Sequence, residues 1–542
     1  MAVTHKLRKP VESLQALRSR RRVLVVGVFI TLGIAGVLAL LLLGCGGGST
    51  ALVSPLPPPV VQPLQVADVQ NIVQTAVNSV NVDMVVAVVD RAGFVLGVFR
   101  TQNAPATAIG NFGQTQDAND LAVALARTGA FFSNDQAPLS SRTVRFISGI
   151  HFPPGVANQP PADLYGIENT NRGCTLVNDP NFTSKIPPSL TLGGGFGLGV
   201  ITGKGDTNDS SATAVNPGGL PIFYKNIVLG GIGVVTSASD PGVAEFAAYT
   251  GSTTARTGPT DTFGPTPAAP GVVFIGGVAL PFVTQTSLPP GLSAGPVGGT
   301  GSFLIAPANS QGQPPEGDLI TPAAGPIGGL SATEVTQVLD NAEATANATR
   351  AAIRLPIGSR TRMVIAVADL DGTVIGLRRM PDSTVFSIDI AVTKARNMVY
   401  FNSASRTATD LNGVPMNTAV TNRTIGFGAQ PLYPPGIDGS NAGPFFNLYT
   451  RDLANPCTQG FQTGAANSNK SGIVFFPGSA GLYRNGTLIG GLGVSGDGVD
   501  EDDYVTSGGT AGFEPPTAIR ADQVTDQGVR LPYFKFPRNP TN

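Results

Sequence analysis

An α+β fold of two tandem domains, each an antiparallel sheet with helices packed on it, is predicted by three observations. The chain repeats itself, each repeat runs helix, hairpin, helix, hairpin, and both hairpins of the second repeat turn at tight-turn dipeptides. The repeat is collinear over six blocks. Val85 to Gly93 matches Val364 to Gly372, and both continue through a Gly (Gly97, Gly376) to an Arg (Arg100, Arg379). Arg142-Thr143 then matches Arg423-Thr424, Pro153 to Gly155 matches Pro434 to Gly436, and Leu164-Tyr165 with Cys174 matches Leu448-Tyr449 with Cys457. Leu229 to Val234 matches Ile489 to Val494, and Leu280-Pro281-Phe282 matches Leu531-Pro532-Tyr533. The repeats occupy 64–290 and 330–542, and the Gly- and Pro-rich stretch 291–329 reads as a linker.

Each element follows from local chemistry. In the first repeat Asp68, Val69, Ile72, Val73 and Ala76 recur at helical spacing. In the second, Ser331 and Glu334 have the spacing of a capping box ahead of Val335, Val338, Leu339 and Ala342. Two β-branched runs follow, Val85 to Asp90 and Phe94 to Phe99, matched by Val364 to Asp369 and Thr373 to Leu377 around Asp371-Gly372. A helix spans Ser387 to Phe401 with Ile388, Ala391, Val392, Ala395 and Val399 on one face; Leu121 to Phe132 is its weaker counterpart. The closing hairpin, Gly481 to Arg484 and Thr487 to Val494, turns at Asn485-Gly486.

Composition narrows the function. Gly (69) and Pro (45) make up about a fifth of 542 residues, hydrophobic residues 42% and charged residues 13%, which describes a loop-rich protein with substantial cores. A net charge of -1 leaves no electrostatic excess for a phosphate backbone, so no nucleic-acid partner is expected. Two His and three Cys leave little room for zinc chemistry.

The N-terminus is an address. Seven basic residues from Lys6 to Arg22 precede an apolar run from Val23 to Leu43, which is long enough to span a bilayer. Leu42-Leu43-Gly44-Cys45 resembles the lipobox of bacterial lipoproteins, which implies cleavage after a signal peptide of residues 1–44 and lipidation of Cys45. The competing reading is a permanent transmembrane anchor. Residues 45–63, with Pro55, Pro57, Pro58, Pro59 and Pro63, suit an extended tether. On the lipoprotein reading, Gly46 implies transfer to the outer membrane.

The run Val364 to Gly372 with Arg378-Arg379-Met380, then Ala391 to Arg396, then Ile489 to Gly496, resembles the GlcG/HbpS family, the haem-degrading domain family. The resemblance covers the core of both repeats and is better in the second. It implies a PAS/profilin-like fold in each repeat, haem or a related tetrapyrrole as cofactor, and homo-oligomers. It also carries a hydroxyl contact just after the main helix onto Ser405, in Asn402-Ser403-Ala404-Ser405. The first repeat has Ser133-Asn134-Asp135-Gln136 there and loses that hydroxyl. Departures are the long insertions at 139–215 and 410–470, and Val235-Thr236 where the second repeat has Ser495-Gly496.

Candidate site residues each carry a bland alternative. Met380 and Tyr400 flank the expected pocket and are of types that ligate haem iron, but element ends also place such residues in cores. His5 lies in the targeting segment, and His151 is a lone ligand or a loop residue. Gly490, Gly491 and Gly493, like Gly230, Gly231 and Gly233, mark either a ligand's close approach or a bulge packed under a helix. Asp497, Asp500, Glu501, Asp502 and Asp503 form either a cation site or a solvated helix start. Asp90 and Asp369 cap turns. Cys174 and Cys457, at matching positions in an exported chain, form either an inter-repeat disulfide, favoured by their loop-like surroundings, or two buried thiols. No nucleophilic triad can be assembled, so an enzymic role is the weakest of three. The leading reading is a membrane-anchored, haem-binding or haem-sensing lipoprotein of the bacterial envelope. The alternative is a non-catalytic envelope interaction protein that kept the fold without the ligand.

Overall fold

The computed structural model describes residues 61–109, 115–147, 216–264, 273–275, 278–280, 282–295, 301–404, 406–434, 437, 439–454 and 472–541. The targeting segment, most of the tether, Cys45, Cys174, Cys457, His151 and Ser405 lie outside them. In repeat 1, helix α1 (Val66–Ser79) leads into strands β1 (Met84–Asp90) and β2 (Val95–Arg100), then helix α2 (Ala118–Phe132) and helix α3 (Ser141–Ile147). Strands β3 (Gly219–Tyr224) and β4 (Ile227–Thr236) and helix α4 (Pro241–Ser252) close it. Strands β5 (Ser302–Ile305) and β6 (Gly317–Ile320) follow. Repeat 2 has α5 (Ala332–Ala348), β7 (Val364–Ala368), β8 (Val374–Arg379), α6 (Ser387–Phe401), α7 (Asn422–Gly428), α8 (Phe446–Ala454), β9 (Ser479–Arg484), β10 (Thr487–Ser495) and α9 (Val499–Gly509).

The two main sheets have the same five-stranded antiparallel order, β5-β2-β1-β4-β3 and β6-β8-β7-β10-β9. The stretch read as a linker therefore supplies an edge strand to each sheet. Its register is equivalent on both sides, Ser302 opposite Arg100 and Gly317 opposite Arg379. Asp90 and Asp369 cap their hairpin turns as expected, Asp90 Oδ1 accepting from Phe94 N at 2.9 Å. Each also holds the connecting segment: Asp90 Oδ2 accepts from Gln311 N at 2.7 Å, and Asp369 Oδ1 from Gly328 N at 2.7 Å. The closing hairpins turn through left-handed pairs, Lys225-Asn226 and Asn485-Gly486, whose backbone matches the strand twist.

Alternation along the central strands sorts the cores. Met84, Val86 and Val88 face a cluster built with α1 and α4; Met363, Ile365 and Val367 face its counterpart with α5 and α9. The other face is shared. Val85, Ala87 and Val89 of β1, Val364, Ala366 and Ala368 of β7, and the apolar stripes of α2 and α6 form one continuous cluster that joins the repeats. Phe132 stacks on Phe386 with ring centroids 3.9 Å apart, and Phe131 O accepts from Val385 N at 2.9 Å. A further cluster, including Tyr400, Phe401, Leu411, Val420, Ile425 and Phe475, fills the region beyond α6.

Candidate functional site

The main helix of repeat 2 lies close on its sheet because the strand beneath it has no side chains in the way. A Cβ at Gly491 would come within 2.2 Å of Ala395 O, and one at Gly493 within 2.0 Å of Ala391 O. A Cβ at Gly490 would meet Leu330 Cδ1 at 2.7 Å and Ala368 O at 2.9 Å, from the other face. These three glycines let helix and strand backbones come close, the packing reading that their pattern allowed beside a ligand's approach. The same holds for Gly231 and Gly233 beneath α2, where Ala126 O and Ala122 O lie 2.0 and 1.9 Å from the added atom.

Met380 and Tyr400 do not converge. Met380 is buried in the α5–α9 core, and its Sδ accepts from Met363 N at 3.4 Å. Tyr400 is buried in the cluster beyond α6, and its hydroxyl donates to Asp410 Oδ2 at 2.5 Å. Burial, and then the Asp410 carboxylate, push the Tyr400 phenol well above its ordinary range. Each is held by its own core contact, in separate clusters.

The end of α6 holds a polar group that sequence reasoning missed. Asn402 ties the helix end to Val420, donating to its carbonyl at 3.1 Å and accepting from its N–H at 2.6 Å. Within the bridged segment Arg406 is only 2% exposed. Its Nη2 donates to Pro415 O at 2.8 Å, while Nε and Nη1 are buried without a hydrogen-bond partner. Asp410 accepts from Thr407 N at 2.9 Å and from Tyr400, and its carboxylate interacts electrostatically with the Arg406 guanidinium. Burial lowers the Arg406 pKa, and Asp410 opposes that shift.

The acidic cluster is neither a cation site nor a solvated helix start. Asp497 bonds Arg354 Nε at 2.5 Å, Asp502 bonds Lys394 Nζ at 2.9 Å, and Asp500 bonds Arg423 Nη2 at 2.6 Å, with Asp503 paired to the same arginine. Asp497, Glu501, Asp502 and Asp503 are buried, and no group of acids, His or Cys among the described residues has a metal-holding arrangement. Burial pushes the Asp502 carboxyl up to about 7 and the Lys394 ammonium down, each shift opposed by the partner's charge. Lys394 also donates to Val494 O at 2.7 Å and lies over the Phe476 ring.

A second polar group joins the repeats. Arg354 Nη1 bonds Asp382 Oδ2 at 2.6 Å, and the Asp382 carboxylate accepts from Asp135 N at 3.0 Å. Burial, then the Asp382 charge, push the Asp135 carboxyl up to about 6. Arg91 and Arg379 are buried in the same electrostatic neighbourhood.

Residues 338–511 match the family model described as haem degrading protein HbpS-like. A search of curated proteins gave no match. Among solved structures, the PduOC:heme complex is 25% identical over 35% of this chain and 97% of its own, with a TM-score of 0.23. The Klebsiella pneumoniae protein ORFY, of the DUF336 family, is 20% identical over 33% of this chain and 88% of its own, with a TM-score of 0.22.

Proposed function

We propose that this chain, whose residues 338–511 match the model described as haem degrading protein HbpS-like, is a haem- or tetrapyrrole-binding or sensing protein. We propose further that it is held on the bacterial envelope by a lipidated Cys45. The family match carries the ligand; the lipobox-like Leu42 to Cys45 carries the anchor. No helix among the described residues is long and apolar enough to cross a membrane, and the anchor precedes them. Bound haem supplies a redox-active iron. The chain would hold it beside the buried apolar cluster that contains Phe401, Leu411 and Val414 and beside the buried cation Arg406, two of whose nitrogens lack a hydrogen-bond partner. Tyr400 and Met380 already hold hydrogen bonds within the fold, Tyr400 to Asp410 and Met380 from Met363 N. That engagement also favours the second reading, a fold kept without its ligand.

Titrating the full chain in detergent with haemin tests the ligand: a saturable Soret shift supports it, and a linear, non-saturable rise selects the second reading. Cys45→Ala is expected to abolish labelling by a palmitate analogue; undiminished labelling removes the lipid anchor.

A further inference from the structure

We propose that Arg406 binds a carboxylate of the tetrapyrrole, an inference that rests on the haem reading and adds to it the polar contact that orients the ligand. A guanidinium presents five N–H donors and is seldom buried with any of them unmet. Arg406 is buried, pinned through Nη2 to Pro415 O at 2.8 Å, and left with unpartnered Nε and Nη1. Its position is particular to repeat 2. Ser133 to Ser140 runs directly from α2 to α3, whereas Asn402 to Thr421 makes the same connection through twelve more residues, Arg406 among them.

The neighbouring charge selects the ligand class. Asp410 already shares the site, its carboxylate engaged by Tyr400 and Thr407. A monoanionic carboxylate finds donors there at modest electrostatic cost, whereas a phosphate, carrying close to two charges, meets repulsion from Asp410. A tetrapyrrole with carboxylate side chains joins that anion to a large apolar body, and Leu411 and Val414 of the same segment belong to the apolar cluster beside Arg406.

Parallel Soret titrations of the full chain with haemin and with haemin dimethyl ester, whose carboxylates are masked, test the proposal. The wild-type chain is expected to bind haemin at least about tenfold more tightly than the ester, in line with a charge-assisted hydrogen bond. Arg406→Gln, checked for folding by circular dichroism, is expected to bind both at the ester's affinity, with Arg406→Lys recovering part of the preference. Equal wild-type affinity for haemin and ester overturns the proposal and needs no variant, and so does an undiminished preference in Arg406→Gln. In both cases saturable binding leaves the haem reading standing. Absence of saturable binding by either compound overturns both.

Discussion

Residues that recur at equivalent positions of the two repeats mark what the shared fold needs, and those that differ mark what belongs to repeat 2 alone. Helices α2 and α6 each have 15 residues, and in each an arginine ties the helix to the first hairpin: Arg127 Nε donates to Gly93 O at 2.9 Å, and Arg396 Nε to Gly372 O at 2.8 Å. Arg142 pairs with Glu245 as Arg423 pairs with Asp503. Ser140 Oγ donates to Phe282 O at 2.5 Å as Thr421 Oγ1 donates to Tyr533 O at 2.6 Å. Against that constancy, the position of Leu125 on α2 is Lys394 on α6, and the position of Ala244 on α4 is Asp502 on α9. Repeat 1 holds an apolar pair where repeat 2 buries an ion pair. The architecture therefore does not require the ion pair, or the insertion over Arg406.

The largest test of this difference breaks the ion pair. Asp502→Ala alone leaves a buried ammonium without its counter-ion and is expected to destabilise by about 3–5 kcal/mol in chemical denaturation. The double change Lys394→Leu with Asp502→Ala installs the residues of repeat 1 and is expected to recover most of that loss. A double variant as unstable as the single one would show that the two sites are not interchangeable.

Next in size are the glycines that both repeats share. Gly233→Ala and Gly493→Ala each force a methyl against a helix carbonyl and are expected to cost about 1–3 kcal/mol or more, to a similar degree. A variant with unchanged stability in either repeat would break the claimed equivalence of helix packing.

The junction between repeats gives a pH signature. The folded-state pKa of Asp135, about 6, lies above its ordinary value, so the folded protein takes up the proton more readily than the unfolded chain. The resulting stability is fully present below the ordinary carboxylate pKa and is lost as pH rises through about 6. Other buried acids titrate nearby, Glu501 and Asp502 being pushed up to about 7, so the difference between wild type and Asp135→Asn isolates this group. Between pH 4 and 7 the wild type is expected to lose about 1–2 kcal/mol more than the variant. Parallel stability profiles would show that the junction does not sense this proton.

The smallest effect is at the opening helices. Ser331 Oγ accepts from Glu334 N at 3.2 Å while Glu334 Oε2 accepts from Ser331 N at 2.8 Å, so Ser331→Ala is expected to cost about 1 kcal/mol. Asp68 returns a bond to Gln65 N at 2.9 Å, and Asp68 is also held by Arg256 at 2.9 Å, so Gln65→Ala is expected to cost less. Equal losses would mean the two caps are equivalent after all.

What could be read from the sequence was local. Ser387–Phe401, the capping box at Ser331 and the turn at Asn485-Gly486 are set by spacing within a few residues, and the structure has all three. Edge strands β5 and β6 were illegible because Gly and Pro surround them, and their extended form is fixed by pairing with β2 and β8. The acidic cluster was misjudged for the same reason: its partners Arg354, Lys394 and Arg423 lie far away in the chain. One signal was present. Lys394 sits beside Ala395 on a helix that is apolar at the matching position of the other repeat, and aligning the two helices exposes the charge. Arg406 carried no such signal, since its burial depends on the fold of the insertion around it.

On the proposed reading one haem binds in repeat 2 and none in repeat 1, so the stoichiometry of haemin binding to the full chain is the most direct test. Equilibrium titration at protein concentrations well above Kd is expected to break sharply at one haemin per chain. A break at two, or continuous uptake without a break, would contradict it.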